Sequence, residues 1–261
     1  MLVYFDESYD NAHMFLLYGA LFIPPSSKLH QRFDRVREET EFRGEVKYTK
    51  CRNQRALTVC KKVIDAFVDD TAYFRCAVVE QRALDYSQFG RIDEPDAIKR
   101  ARAYKKFAEM LLHPFVEDVR DGVFLADRMT RCDGDDFLER IQERFNPDEG
   151  KRAFRHLEEV ASHRVEYQCL QVCDLLLGCV LNNHCPPGNR YKTEIREHLC
   201  GRLQKPSLLL SSWKGVPWHD VKAASTKFHV WHWTPKKKGP GTLRVLAVVG
   251  HSPTPRRSTQ A

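Results

Sequence analysis

Two strand-like apolar runs open the chain and are separated by a short polar link. The first run is residues 2–5 (Leu-Val-Tyr-Phe), and the second, residues 14–23, ends at Pro24 and Pro25. The link, residues 9–13, has the composition of a turn. Two apolar runs joined by a short turn predict an antiparallel hairpin. The sheet of this protein is therefore expected to begin with a hairpin.

Helical and strand-like patterns follow one another along the rest of the chain. Apolar side chains at helical spacing predict helices from the Ser26–Ser27 cap to Glu41 and over 53–70, 96–118, 135–145, 168–182 and 192–204. Pro114 is expected to bend or end the third helix. Apolar runs predict strands over 72–79, 122–126 and 157–161, and a closing edge strand over 227–235. These patterns predict an α/β fold with a mixed sheet flanked by helices.

The positive charge of the chain is concentrated in its last residues. The net charge is +7, but residues 235–261 hold six Lys and Arg and no acid, which leaves residues 1–234 near +1. Such a tail either binds nucleic acid or is a solvated end. We expect a folded domain over 1–205, a C-terminal extension over 206–235 that packs on it, and a basic, mostly disordered tail over 236–261.

The sequence also favours a cytoplasmic location. No stretch approaches 18 consecutive apolar residues, and the N-terminus has neither a basic region nor a long apolar run. The nine cysteines are irregularly spaced and include no C-x-x-C pair. Structural zinc sites usually have closer paired spacings, so we expect reduced thiols in the core.

Carboxylates lie at the ends of predicted strands and inside one apolar helix. Asp6 ends the first strand, Glu45 precedes the second helix, Asp127 ends a later strand, and Asp174 lies in the apolar helix. A lone Asp in such a helix is costly unless it is paired or binds metal. The alternatives are turn residues at the strand ends, an exposed Glu45, and an ion pair from Asp174 to Arg128 or Lys47.

This set of acids has the pattern of a two-metal phosphodiester site. Two Mg²⁺ or Mn²⁺ ions in such a site lie about 3.5–4 Å apart and repel each other. Several carboxylates must neutralise them, and hard oxygen ligands suit these ions. The metals would activate a water molecule and stabilise the leaving oxygen.

Four short segments together resemble the bacterial and phage family catalogued as domain-of-unknown-function 3800, whose members have a ribonuclease H-like fold. The resemblance covers roughly residues 1–182 and rests on Tyr4-Phe5-Asp6-Glu7-Ser8, Glu45-Val46-Lys47, Ala126-Asp127-Arg128 and Leu170-Gln171-Val172-Cys173-Asp174-Leu175-Leu176. The order Asp, Glu, Asp, Asp is also that of ribonuclease H. The family usually has Gly after Asp-Glu-Ser, where this chain has Tyr9. Residues beyond about 205 do not map onto the family.

The resemblance implies a ribonuclease H-like catalytic domain over residues 1–205, with Asp6, Glu45, Asp127 and Asp174 as catalytic residues and ligands of Mg²⁺ or Mn²⁺. Glu7 should point to the opposite face of its strand and act behind the ligands or structurally.

Three other residues are assigned supporting roles beside these ligands. Lys47 either holds a phosphate, neutralises the site or is a surface lysine. Arg128 is placed to pair with Asp174, and Gln171, three residues before Asp174, either orients a ligand or packs. His13 in the hairpin turn is expected at the surface.

The sequence favours nucleic acid as the partner, bound through its backbone. Residues 28–62 hold eleven Lys and Arg against five acids, whereas residues 63–98 hold three against eight. A basic segment around Glu45 suits phosphate contacts, although a solvated helix pair also explains it.

The first functional hypothesis is a metal-dependent nuclease acting on RNA or DNA. The alternative is a catalytically silent ribonuclease H-like module that binds nucleic acid or protein. Phosphoryl transfer on a small nucleotide is disfavoured, because the chain has no P-loop or G-x-G-x-x-G motif.

Overall fold

The computed structural model describes residues 1–9, 14–128, 135–147, 152–186, 188–208, 227–233, 236–238 and 242–244. Six strands form one mixed sheet in the order β5-β4-β1-β2-β3-β6. Their bounds are Leu2–Tyr9 (β1), Phe15–Ile23 (β2), Tyr73–Glu80 (β3), Gly122–Asp127 (β4), Phe154–Val160 (β5) and Phe228–Trp233 (β6).

Strand β1 lies inside the sheet and joins an antiparallel half to a parallel half. It pairs antiparallel with β2, which pairs antiparallel with β3, so the predicted hairpin is confirmed. The pairs β1–β4, β4–β5 and β3–β6 are parallel. Because five of the six strands run in one direction, their carboxyl ends share one edge of the sheet. Strand β6 lies at the outer side of β3, where the alternating pattern predicts an edge strand.

The helices also follow the sequence patterns. They are Leu29–Thr40 (α1), Gln54–Val68 (α2), Asp96–Leu112 (α3), Val116–Val119 (α4), Phe137–Phe145 (α5), Gln168–His184 (α6) and Arg190–Arg202 (α7). The predicted helix over 96–118 is interrupted by a 3₁₀ turn, His113–Phe115. Pro114 lies in this turn and explains the break, because proline lacks the N–H that would continue the helix.

Alternation along the strands divides the core into two layers. Tyr4, Leu17 and Leu21 point toward the side of α1, α2, α6 and α7, whereas Phe5 and Tyr18 point toward α3 and α5. Helix α6 is buried along most of its length, as its apolar sequence predicts. It lies directly on β2, because a Cβ atom at Gly19 would come within 2.7 Å of Cγ of Leu177. Glycine at position 19 therefore leaves room for Leu177 of α6 against β2.

The described part of the C-terminal tail contains a small hairpin. Lys236–Lys238 (β7) pairs antiparallel with Thr242–Arg244 (β8), in a region for which the sequence predicts mostly disorder. The rest of the tail and much of the 206–235 extension lie outside the described residues. Among the described helices, none is long and apolar enough to cross a membrane.

Candidate functional site

Asp6 is a buried carboxylate near the middle of the sheet. It lies on the same face of β1 as Tyr4, beneath α6, and only 5% of its surface is exposed. Its Oδ1 accepts a hydrogen bond of 2.8 Å from the N–H of Glu7. Burial raises the pKa of Asp6 well above its usual value, and the charges of Asp174, Glu7 and Asp127 raise it further. A carboxylate in this position needs a nearby cation to stay ionised.

Asp127 is brought next to Asp6 by the parallel pairing of β1 and β4. The register places Phe5 opposite Ala126, so Asp6 and Asp127 follow at the same level of the sheet. The N–H of Ser162 donates to Oδ1 of Asp127 over 3.3 Å. Burial raises the pKa of Asp127, although Lys47 and the N–H donors oppose the shift.

Asp174 approaches the same face of the sheet from α6. Its Oδ2 accepts a hydrogen bond of 2.8 Å from the N–H of Tyr48. Burial raises the pKa of Asp174 to about 6; the Tyr48 N–H and Lys47 lower it, while Asp127 and Glu45 raise it. The sequence offered an ion pair to Arg128 or Lys47 as the alternative role. No ion pair of Asp174 is present among the described residues, and a backbone N–H is its partner instead.

Glu45 lies in the irregular segment between α1 and α2 and is held by hydrogen bonds. Its Oε1 accepts from the Ser162 hydroxyl over 3.1 Å, and its Oε2 accepts from the Lys50 ammonium over 2.5 Å. Burial opposes ionisation, but Lys50, Lys47 and Ser162 together lower the pKa of Glu45. Because Ser162 also donates to Asp127, one serine links the Glu45 carboxylate to the Asp127 carboxylate.

Lys47 is the cation common to the four acids. Its Nζ lies 3.9 Å from Oε1 of Glu45, and its side chain is about one third exposed. Burial disfavours its charge, but Asp174, Glu45, Asp127 and Asp6 together raise the pKa of Lys47 above its usual value. The charges of all four carboxylates therefore act on the Lys47 ammonium, and among the described residues Glu45 is the one that forms an ion pair with it.

Gln171 connects α6 to the Glu45 segment and to the loop that contains Ser162. Its Oε1 accepts from the N–H of Val46 over 2.9 Å, and its Nε2 donates to the carbonyl of Ser162 over 2.6 Å. Only 1% of Gln171 is exposed, so both bonds are shielded from water. The amide thus fixes the Glu45 segment and the Ser162 loop relative to Asp174. The structure thus shows Gln171 joining the two loops, and its role in orienting a ligand stays a prediction.

Arg37 of α1 extends this network and has no counterpart in the sequence-based set. Its guanidinium donates to Oε1 of Gln171 over 3.0 Å, to Oε1 of Gln168 over 2.9 Å and to the carbonyl of Gly44 over 2.9 Å. The only sequence signal was a pair of glutamines three residues apart in an otherwise apolar helix. Such a pair has to find polar partners when it is buried.

Tyr48 also attaches the Glu45 segment to α6, through its ring and its hydroxyl group. Its ring lies over Gly178, where an added Cβ would come within 2.0 Å of Cγ of Tyr48. Its hydroxyl accepts a hydrogen bond of 2.5 Å from Asn182. Only glycine leaves room for the ring, so Gly178 sets how closely Glu45 and Lys47 approach Asp174. Ser162, Arg37, Tyr48 and Gly178 were all missed by the sequence reasoning.

Two other sequence-based candidates, Glu7 and Arg128, have side chains with other surroundings. Glu7 points to the opposite face of β1, where its Oε2 accepts a 2.8 Å hydrogen bond from the hydroxyl of Tyr104 on α3. Arg128 is exposed, and no ion pair from it to Asp174 is present in the described residues. Among the described residues the Arg128–Asp174 pair that the sequence offered is not formed, and the N–H of Tyr48 is a partner of Asp174. His13 lies outside the described residues.

The chemistry of the four acids fits a hard divalent cation. In the described part of the chain, no three His, Cys, Asp or Glu side chains are arranged to hold a metal ion as they stand. The donor atoms are nevertheless all carboxylate oxygens, the type that Mg²⁺ and Mn²⁺ prefer. Asp6, Asp127 and Asp174 share raised pKa values because burial disfavours the charge of all three, and the charges of neighbouring acids raise the pKa of Asp6 and of Asp174 further. A cation among them would relieve both penalties.

The cysteines form no disulfide in the described residues, where eight of them are free thiols. In comparisons with known proteins, no family model and no curated protein matches this chain.

Proposed function

We propose that this chain is a metal-dependent nuclease that hydrolyses phosphodiester bonds of RNA or DNA with Mg²⁺ or Mn²⁺. One observation carries the proposal: the charges of carboxylates from β1, the Glu45 segment, β4 and α6 all act on the ammonium of Lys47. Four acids from distant parts of a chain are rarely gathered in a partly buried place, because their charges repel. A bound cation would offset this repulsion and keep the carboxylates ionised.

The fold supports the same proposal. A mixed sheet that begins with an antiparallel hairpin and is flanked by helices on both faces agrees with the proposed ribonuclease H-like identity. The resemblance of the four short segments to the domain-of-unknown-function 3800 family points in the same direction. The free thiols favour a reducing compartment, and a cytoplasmic location is part of the proposal.

In the proposed mechanism Asp6, Glu45, Asp127 and Asp174 hold the metal ions. When bound, the ions would lower the pKa of a water molecule and stabilise the charge on the leaving oxygen. The protein itself orients the acids: Ser162 holds Glu45 and Asp127, and the N–H of Tyr48 holds Asp174. Lys47 would leave the carboxylates when a metal enters and contact a phosphate of the substrate.

Exposed cations around the Glu45 segment suit a nucleic-acid backbone. Arg43, Lys50, Arg52 and Arg55 are all exposed and lie within ten residues of Glu45. Phosphate contacts of this kind give affinity without reading the base sequence. We therefore propose backbone recognition rather than base readout.

The second candidate is a catalytically silent module that binds nucleic acid or protein. The observation that favours it is the pairing already present, since Lys47 and Lys50 both lie against Glu45. In such a module the lysines would serve as permanent counter-ions, and no divalent cation would bind.

The test compares Mn²⁺ binding and nuclease activity in three variants. Asp6→Asn and Asp174→Asn should each abolish Mn²⁺-induced thermal stabilisation and reduce cleavage of RNA or DNA by at least about 10²-fold, since a bound metal contributes several kcal/mol to such reactions. Glu80→Gln is the matched control, because Glu80 is an exposed acid at the end of β3 on the same edge of the sheet. If Mn²⁺ leaves the melting midpoint of the wild-type protein unchanged, the result would favour the silent module.

A further inference from the structure

Two histidines meet at the opposite end of α6 from the carboxylates. His184 is the last residue of α6, and His232 lies on β6. Their ring centroids are 4.7 Å apart. The ring centroid of Phe15, on β2, lies 4.7 Å from that of His184. Helix α6 separates Asp174 from His184 by ten residues, or about 15 Å at 1.5 Å per residue. The histidine pair is therefore distinct from the acid cluster.

Each histidine of the pair has a buried ring nitrogen without a partner. Nε2 of His184 and Nε2 of His232 are both inaccessible to solvent, and neither forms a hydrogen bond within the described residues. A buried polar atom of this kind normally costs free energy and calls for a partner such as a bound ion or water. Two such atoms on adjacent rings point to one shared ligand.

The imidazoles are in the form that binds metals. Burial lowers the pKa of His184 to about 4, assisted by His232, and burial also lowers the pKa of His232. Both rings are therefore neutral near pH 7, and a neutral imidazole has a nitrogen lone pair available for a metal. The two residues belong to a helix end and a strand that pack in the core, so their relative position is held by the fold.

We propose that His184 and His232 form a binding site for a first-row transition-metal ion of the zinc, copper and nickel class. Imidazole nitrogen is a good ligand for these ions, whereas Mg²⁺ and Mn²⁺ prefer the oxygens at the other end of α6. With two protein ligands the site would be completed by water or by another small ligand. The site is independent of the proposed nuclease function.

Ni²⁺ is the most useful probe because it favours imidazole. The free thiols of the chain would compete more strongly for zinc or copper. The full chain, free of any histidine tag, is titrated calorimetrically with Ni²⁺ in a reducing buffer that contains excess Mg²⁺ to fill the carboxylates. We expect one Ni²⁺ per chain, and at least about tenfold weaker binding in His184→Gln and in His232→Gln. Asp174→Asn should bind Ni²⁺ as the wild type does.

His229→Gln is the matched control, because His229 lies on the same strand as His232 but on its other face. It should leave Ni²⁺ affinity unchanged. Equal affinity in His184→Gln, His232→Gln and wild type would overturn the proposal, and so would an equal loss in His229→Gln.

A second measurement needs no variant and covers the case in which a substitution prevents folding. Cu²⁺ added in small amounts to the wild-type chain should broaden the imidazole NMR signals of His184 and His232 before that of His229. Simultaneous broadening of the three signals would contradict the proposal.

Discussion

The two ends of α6 differ in which atoms they bury and in how these atoms are paired. Near the amino end, Asp174 and Gln171 are held by N–H donors and by the Ser162 carbonyl. At the carboxyl end, His184 and His232 have ring nitrogens that no described residue contacts by a hydrogen bond. Burial raises the pKa of the acid and lowers the pKa of the bases. Desolvation thus favours the neutral form at both ends. A cation would bind carboxylate oxygens at one end and imidazole nitrogens at the other.

The largest expected effect is the loss of the amide that holds the acid end together. Gln171→Ala leaves the N–H of Val46 and the carbonyl of Ser162 without their buried partner, at a cost of about 3 kcal/mol in the free energy of unfolding. Urea unfolding measures this cost. Mn²⁺-induced stabilisation should fall in this variant while Ni²⁺ affinity stays unchanged. Gln88→Ala is the control, since exposed Gln88 bonds only to Asp85 among described residues, and should cost less than about 0.5 kcal/mol. Similar costs for both variants would show that Gln171 merely packs.

A methyl group at Gly178 should lower the free energy of unfolding by about 2 kcal/mol. Gly178→Ala forces the ring of Tyr48 off α6, and overpacking of this kind typically costs 1–3 kcal/mol. Gly201→Ala on α7 is the matched control, because a Cβ there meets no atom within 4 Å. It should be neutral or stabilising, since alanine favours helix. Urea unfolding of the two variants decides the matter, and an unchanged stability of Gly178→Ala would mean that Tyr48 moves freely.

The stability of the two ends should depend on pH with opposite signs. His184 has a folded-state pKa of about 4, so between that pH and about 6.5 the unfolded chain binds more protons, and this residue contributes less stability as the pH falls. Asp174 has a folded-state pKa of about 6, so between about 4 and that pH the folded chain binds more protons, and stability falls as the pH rises. Each group changes the free energy of unfolding by at most about 1.4 kcal/mol per pH unit.

Urea unfolding in EDTA between pH 4 and 7 isolates these contributions by difference. Relative to wild type, Asp174→Asn should gain stability as the pH rises, whereas His184→Gln should lose it. Differences of the same sign in the two variants would contradict the assigned pKa shifts.

The smallest effect concerns Lys47, whose charge is partly solvated. Lys47→Met should lower the stability of the metal-free chain by less than about 1 kcal/mol, the range of exposed ion pairs. Its Mn²⁺-induced shift of the melting midpoint should be larger than that of the wild type, because the metal no longer competes with an ammonium group. Lys50→Met, which removes a more exposed cation from Glu45 alone among the described residues, should change this shift less. A smaller shift in Lys47→Met would contradict the competition between Lys47 and the metal.

Local patterns predicted the elements of the fold well. The hairpin, the buried helix α6 and the break at Pro114 each follow from the residues within one segment, since apolar spacing and proline act locally. The lone Asp174 in an apolar helix was also a valid signal, because a buried charge needs an explanation wherever it lies.

The sequence could not reveal how these elements meet. Ser162 contacts Glu45 across 117 positions, and Arg37 contacts Gln171 across 134. No local pattern distinguishes such a serine or arginine from its neighbours. The same holds for His184 and His232, which belong to elements with different periodicities and meet only because β6 pairs beside β3.

The position of β6 late in the chain sets an order in time during synthesis. Lys47 and the four acids have all been translated once Asp174 is added, whereas His184 waits another 48 residues for His232. At about 5–20 residues per second this interval lasts roughly 2–10 s. The outer edge of β3 stays unpaired during that time and is open to other strands. A nascent chain therefore assembles its carboxylates first and completes the histidine pair and the sheet edge in a single later step.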